Sequence, residues 1–252
     1  MSIQPYYERD GITIYHGDCR EILPDLTADL VVADPPYGET ALEWDTRVDG
    51  WQELVTVDPG GSMWVFGSLR SLLGSIDDFG GWRFVQEIIW EKHNGSNFLV
   101  DRFRRVHEII THWRPDYRTW SDVYKAPQFT QDAVRRQVRA KGRPAHMGRI
   151  ERSPYVSQDG GPRHMRSVIP VRSCHGHAIH PTQKPLGILT PIISYSCPPG
   201  GTVLDPFAGS GSTLEAARLI GRRAIGIEID ERWCEAAARR LEQQVLPIGG
   251  DA

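Results

Sequence analysis

The sequence is short of cysteine, and its four residues, Cys19, Cys174, Cys197 and Cys234, lie far apart with no CxxC pair among them. That spacing argues against a disulfide framework or a zinc ribbon. Long apolar runs are missing too. None approaches the ~18 residues of a membrane helix, and the opening MSIQPYYERDG has no basic stretch followed by an apolar one, so a cytoplasmic chain with no membrane partner is expected. Cys174, His175, His177 and His180 sit close together, but CHxHxxH matches no standard ligand spacing, and no metal is expected. There is no internal repeat and no GxxxxGK(S/T) phosphate loop.

What is present is an ordinary globular composition, 40% hydrophobic over 252 residues, which excludes disorder throughout and suits one large domain or a domain with an insertion. The net charge of −3 hides a division along the chain. Residues 101–184 hold 17 Lys and Arg against 7 Asp and Glu, a net of +10, together with seven of the nine His, whereas the remainder is at −13. Such segregation points to a polyanion, most often nucleic acid, and a solvated basic loop is the alternative.

Short β-branched and aromatic runs alternate with helical patterns. Ile12 to Tyr15, Asp29 to Ala33, Ser62 to Phe66, Phe84 to Trp90 and Val106 to Trp113 read as strands, for which a parallel sheet is the simplest home. Gly201 to Asp205 is a further strand, followed by a glycine turn over Pro206 to Ser212 and a helix from Thr213 to Ile220. Arg222 to Glu228 gives another strand, and Asp230 can cap a helix from Glu231 to about Val245. The expected fold class is therefore α/β, a doubly wound and mostly parallel sheet with helices on both faces. From about Lys125 to Arg172 the pattern fails, apart from a candidate basic helix over Ala133 to Ala140. This stretch reads as an insertion.

Two motifs carry chemistry. Glycines in the turn after Asp205 let the backbone approach a ligand closely, and Glu228, at the end of the next strand, can accept hydrogen bonds from a ribose diol, which implies an adenosine cofactor. The pattern lacks the third glycine of the dinucleotide fingerprint and could be a plain turn. Asp34-Pro35-Pro36-Tyr37 puts a carboxylate, two prolines and an aromatic ring at a strand's C-terminal end, where open α/β sheets bind ligands.

Asp34-Pro35-Pro36-Tyr37 together with Asp205-Pro206-Phe207-Ala208-Gly209-Ser210-Gly211-Ser212-Thr213 resembles the S-adenosylmethionine-dependent DNA amino-methyltransferases, which modify adenine N6 or cytosine N4. The tetrapeptide precedes the glycine loop, as in the circularly permuted β class of that family, with its Rossmann-like fold. Ile14 to Cys19, Trp90-Glu91-Lys92, His107-Glu108 and His180 to Pro185 also match, so the resemblance covers roughly residues 12–113 and 177–245. It implies a catalytic and cofactor-binding domain over 1–115 and 177–252, and an inserted target-recognition region over 116–176.

The resemblance implies S-adenosylmethionine as cofactor, with Asp34 and the Pro35 carbonyl accepting the amino protons of a flipped-out base, Pro36 stiffening the loop and Tyr37 stacking on the base. Around the cofactor it implies Asp18, Asp34, Lys184, Asp205, Phe207, Ala208, Gly209, Ser210 and Gly211, with Glu228 on the ribose. Asp18 can equally be read from the residues alone as a helix cap before Arg20 to Leu23, and Lys184 as the start of a helix in place of a partner for the methionine carboxylate. Arg135, Arg136, Arg139, Lys141 and Arg143 are the candidate DNA contacts. Asp at position 34 favours adenine N6, because Ser is commoner there among cytosine N4 enzymes. An RNA methyltransferase, a nicotinamide oxidoreductase and a non-catalytic DNA-binding module are the competing readings. The β class also suggests a homodimer, and neither that nor a restriction endonuclease partner is readable from the residues.

Overall fold

A computed structural model of the protein describes residues 4–40, 42, 45–93, 101, 103–138, 155–174 and 183–242. The described strands are β1 Tyr7–Arg9, β2 Ile12–His16, β3 Ala28–Ala33, β4 Val57–Gly67, β5 Trp82–Glu91, β6 His107–Pro115, β7 Phe129–Thr130, β8 Arg136–Val138, β9 Tyr155–Ser157, β10 Arg163–His164, β11 Val168–Pro170, β12 Thr202–Asp205 and β13 Arg223–Glu228. The α-helices are α1 Cys19–Ile22, α2 Leu69–Gly74, α3 Leu186–Ser196, α4 Ser212–Leu219 and α5 Glu231–Glu242.

By its contacts the chain divides into two compact units, residues 1–126 with 167–252, and residues 127–166. The larger is built on a nine-stranded sheet in the order β1-β2-β13-β12-β3-β4-β6-β5-β11. From β2 through β13, β12 and β3 to β4 all neighbours are parallel. β6 runs antiparallel to both β4 and β5, and β11 is parallel to β5. The expected α/β sheet is thus present and mostly parallel, with β6 as a reversed strand inside it. The alternation β12-α4-β13-α5 explains why this part is parallel, since each helix returns the chain to the same end of the sheet.

The sheet's strands are apolar on both faces because both are covered. On one face Leu30, Val32, Trp64, Phe66 and Ile110 pack with Ile188, Leu189, Ile192 and Ile193 of α3 and with Leu214, Ala216 and Ala217 of α4. On the other, Val31, Met63, Val65 and Leu204 pack with Trp51, Leu72 and Phe79. At ~1.5–3 kcal/mol for each fully buried large side chain, these layers hold the strand ends in register. β2 and β3 follow one another in sequence yet are separated in the sheet by β13 and β12.

The smaller unit corrects one expectation. The basic helix predicted over Ala133 to Ala140 is not formed at Arg136–Val138, which instead pairs antiparallel with Tyr155–Ser157, and residues 139–140 lie outside the described residues. Asp159 Oδ1 and Ser157 Oγ accept the Arg135 and Arg136 backbone N–H groups, so these amides are satisfied across the ribbon. Local helix propensity loses here to pairing with a segment about twenty residues away.

Candidate active site

Parallel strands deliver their C-terminal ends to one rim of a sheet, and helix or loop geometry then decides what stands there. The rim carries His16-Gly17-Asp18 at the end of β2, Glu228 at the end of β13, Asp205 at the end of β12, Asp34 after β3 and Gly67-Ser68 at the end of β4. Because β6 is reversed, its beginning reaches the same rim: Glu108 pairs with Trp90, and the Lys92 N–H donates to the Val106 carbonyl just beyond β5. Residues from seven strands therefore meet at one edge.

The tetrapeptide and the glycine loop leave adjacent strands. Val203 pairs with Leu30 and Leu204 with Val31, so Asp205 and Asp34 emerge side by side. Asp34 is engaged on both oxygens. Oδ1 accepts the Tyr37 hydroxyl at 2.8 Å, and Oδ2 forms an ion pair with Lys184 Nζ. Burial raises the Asp34 carboxyl above the usual carboxylate range, Lys184 opposes that, and the like charge of Glu108 adds to it. Tyr37 is likewise held well above an ordinary phenol by burial and by the Asp34 charge.

Lys184, in the loop before α3, has a side chain only 8% exposed, with its ammonium 5.2 Å from the Phe66 ring and 5.9 Å from the Tyr37 ring. Glu108 Oε2 lies 3.5 Å away, and Glu108 Oε1 pairs with Lys92. Burial works against the Lys184 charge, but Asp34 and Glu108 outweigh it and raise its pKa. For Glu108, burial is likewise outweighed, by Lys184 and Lys92, and its carboxyl is lowered.

Around the glycine loop, the Asp205 carboxyl is buried, takes the Phe207 N–H at 3.0 Å and is pushed up to about 7, chiefly by burial. Asp34 and Glu228 add to that rise, while Thr213 and the Phe207 amide oppose it. Glu228 accepts the Gly209 N–H and the Asp230 N–H, each at 2.8 Å, and burial raises its carboxyl too. Gly209 has φ +49°, and a Cβ placed on it would meet no described atom within 4 Å. Gly211, at φ +76°, is different: Ala237 of α5 stands 3.0 Å from where its Cβ would be. One glycine opens a space and the other allows a helix to approach. Ala208 donates its N–H to Ile227, Ser210 is buried, and Phe207 meets Trp51 edge to face at 5.2 Å.

Of the two readings open for Asp18, the cap is the contact present: its carboxylate accepts the Arg20 N–H at 2.9 Å and pairs with the Arg20 guanidinium. Lys184 does begin the approach to α3, but its ammonium is spent on carboxylates of the chain itself. Pro35 and Pro36 line, with Tyr37, a small cavity walled by Trp51, Phe66 and Leu72. Arg135 and Arg136 are exposed in the smaller unit, and Arg139, Lys141 and Arg143 lie outside the described residues. Glu108 and Lys92 receive no role from the sequence, although both fall in stretches that carry the resemblance. Lys92 follows the C-terminal end of β5, and only the reversal of β6, which no local pattern signals, brings Glu108 to the same rim.

A family pattern described as DNA methylase, of the N6/N4 methyltransferase type, matches residues 28–239. The chain is 28% identical over 273 residues to the Type II methyltransferase M.HinfI of Haemophilus influenzae, across 92% of this chain and 68% of that one. It is 25% identical over 269 residues to the Type II methyltransferase M.ScaI of Streptomyces caespitosus, across 97% and 86%. Among solved structures, the complex of M1.HpyAVI with SAM superposes at a TM-score of 0.61 with 26% identity, covering 92% of this chain and 99% of the other. PvuII DNA methyltransferase, described as cytosine-N4-specific, shares the fold at a TM-score of 0.65 with 15% identity, covering 97% and 91%.

Proposed function

Since the chain belongs to the N6/N4 DNA methylase family, whose pattern runs from residue 28 to residue 239, we propose that it transfers a methyl group from S-adenosylmethionine to the N6 amino nitrogen of adenine in DNA. The observation that supports it most is the emergence of Asp34-Pro35-Pro36-Tyr37 and the glycine loop from paired strands β3 and β12.

The residues present fit the cofactor. Gly209 leaves open space beside a loop that Glu228 holds in place, and the buried carboxyl of Asp205 favours a cation nearby. When bound, S-adenosylmethionine supplies an electrophilic methyl on a positively charged sulfur. We assign Glu228 to the ribose, and Asp205, Phe207, Ala208, Gly209, Ser210 and Gly211 to the remainder of the cofactor.

On the base side, the amino lone pair is delocalised into the ring and the nitrogen is a weak nucleophile. Acceptors for its protons favour a pyramidal nitrogen, and we assign this to an Asp34 oxygen and the Pro35 carbonyl. A charged carboxylate offers about four lone-pair sites, so Asp34 can accept an amino proton while keeping Tyr37 and Lys184. The base must leave the duplex to reach this rim, and the Tyr37 ring is assigned to its face. Arg135 and Arg136 are assigned to phosphates, within a target-recognition region that includes residues 127–166.

The test is incubation with labelled S-adenosylmethionine and mixed-sequence duplex DNA, followed by nucleoside analysis. Label in N6-methyladenine supports the proposal. Label in N4-methylcytosine selects the alternative of the same family, for which the presence of Asp rather than Ser at position 34 is the opposing observation. No label in DNA overturns both.

A further inference from the structure

Lys92, Glu108, Lys184, Asp34 and Tyr37 form one continuous line of contacts along the rim. They arrive from different places: Lys92 just past β5, Glu108 on β6, Lys184 before α3, and Asp34 and Tyr37 after β3. The three inner charged side chains are largely withdrawn from water, at 8% exposure for Lys184, 14% for Glu108 and 21% for Asp34, with Lys92 at 17%. An ammonium in such a place is costly unless opposite charges and hydrogen bonds replace its hydration. Here two carboxylates and two aromatic faces do so.

The signs alternate along the line: positive, negative, positive, negative. Lys184 is shared between Asp34 and Glu108, and Glu108 is shared between Lys184 and Lys92. Whatever draws Lys184 towards Glu108 takes positive charge from Asp34. The other groups facing Asp34 are the Tyr37 hydroxyl from its own loop and the Asp205 carboxyl from β12, while Arg105 acts on Tyr37. With Asp34 and Tyr37 assigned to the base, Lys92 and Glu108 reach the target amino group through Lys184 and its ion pair with Asp34.

We propose that Lys92, Glu108 and Lys184 are positioning residues for the target amino group: Lys184 orients Asp34 and keeps it charged, and Glu108, itself balanced by Lys92, sets how much of the Lys184 charge Asp34 receives. This rests on the assignment of Asp34 to the amino protons. It has a signed consequence. Removing Lys184 leaves Asp34 beside a like charge with no cation between them, so its carboxyl holds a proton more tightly. Removing the Glu108 charge does the reverse, because Asp34 then loses a like-charged neighbour and has the ammonium to itself.

Two readouts test this on the full chain. The first is kcat/KM for methyl transfer to duplex DNA across pH. The second is the titration of the Asp34 carboxyl by NMR in protein labelled with 13C-aspartate, assigned with Asp34→Asn. Lys184→Met is expected to move the acid limb and the carboxyl titration to higher pH by about one unit or more, and Glu108→Gln to move both to lower pH. Shifts of the same sign, or no shift in folded Glu108→Gln, overturn the proposal. If Lys184→Met does not fold, the double variant Glu108→Gln/Lys184→Met, which removes one charge of each sign, should titrate above Glu108→Gln. A value at or below that single variant overturns it. The NMR titration needs neither donor nor DNA. A wild-type protein that transfers no methyl would sink the functional reading while the carboxyl titrations still judge the line of charges.

Discussion

Glu228 holds the amide of Gly209: its Oε2 accepts that N–H at 2.8 Å, while Oε1 takes the N–H of Asp230 at the same distance. The acid at the end of β13 thereby holds the loop that follows β12 with one oxygen and the turn after its own strand with the other. An acceptor so used still has lone pairs free for a diol.

Glycines 209 and 226 separate binding from folding. Alanine at 209 must adopt φ +49°, at a cost of about 1–2 kcal/mol, and its methyl enters open space where the donor is assigned. Gly209→Ala should weaken donor affinity at least tenfold by calorimetry, with a modest loss in thermal stability. Gly226→Ala, whose Cβ would stand 2.8 Å from Leu214 Cδ1 and 2.9 Å from Ala208 Cβ, should lower Tm more than Gly209→Ala does. Unchanged affinity in folded Gly209→Ala would remove the loop from the donor site.

Asp34→Ala should reduce kcat for methyl transfer by roughly 100-fold or more, the scale of a lost proton acceptor or a lost preorganised hydrogen bond. Donor affinity should stay within a few-fold, because the carboxylate is assigned to the base. Labelled-methyl kinetics beside calorimetry measure the two separately, and near-wild-type turnover would refute the assignment.

Asp205 makes donor binding depend on pH. Its carboxyl, pushed up to about 7, is largely protonated in the free protein below that pH. A bound cation favours the ionised form, so binding should release a proton near pH 7 and tighten as pH rises through about 7. Titration calorimetry in two buffers of different ionisation enthalpy counts that proton, and Asp205→Asn should abolish it. The folding sign is opposite. A carboxyl raised by folding binds its proton more tightly in the native state, so its contribution to stability falls as pH rises from the ordinary carboxylate range towards about 7. Binding with no proton release in wild type would separate Asp205 from the donor's charge.

Arg135 and Arg136 are exposed on the smaller unit, and their assignment to phosphates predicts a salt effect. The double substitution to Gln should weaken DNA binding and flatten the slope of log K against log salt by about 0.9 for each phosphate no longer neutralised. Fluorescence anisotropy over a salt series would measure it. An identical slope would mean that neither side chain neutralises a phosphate.

Seven of the nine strands of the sheet were legible because their apolar runs are bounded by turn residues, and β12-α4-β13-α5 was legible as a unit because its pairing and packing are local. Asp34 and Asp205 could be named as partners, since each follows a strand that must end at the same rim. Glu108 could not be given a role. Its place depends on β6 running against its neighbours, and the direction of a strand is set by pairing across the sheet rather than by its own residues. Lys184 was named from the resemblance as a partner for a carboxylate of the donor, but a lysine in a loop does not announce which carboxylates of its own chain it will meet. β11, three residues in a stretch with little apolar pattern, was invisible for the same reason: β5 supplies its order. The difference over Ala133 to Ala140 is the converse, in which arginines favoured a helix and a distant ribbon partner decided otherwise.

The interposition of β13 and β12 between β2 and β3 bears on how the protein is made. During synthesis β1 and β2 leave the ribosome early, yet they can join the remainder of the sheet only through strands that emerge about 190 residues later. Until then the inner edge of β3 presents unpaired amides and carbonyls, a template for pairing with any other extended chain. Completion of the polypeptide closes that edge and assembles the rim in the same event, so no nascent intermediate holds Asp34 beside Asp205.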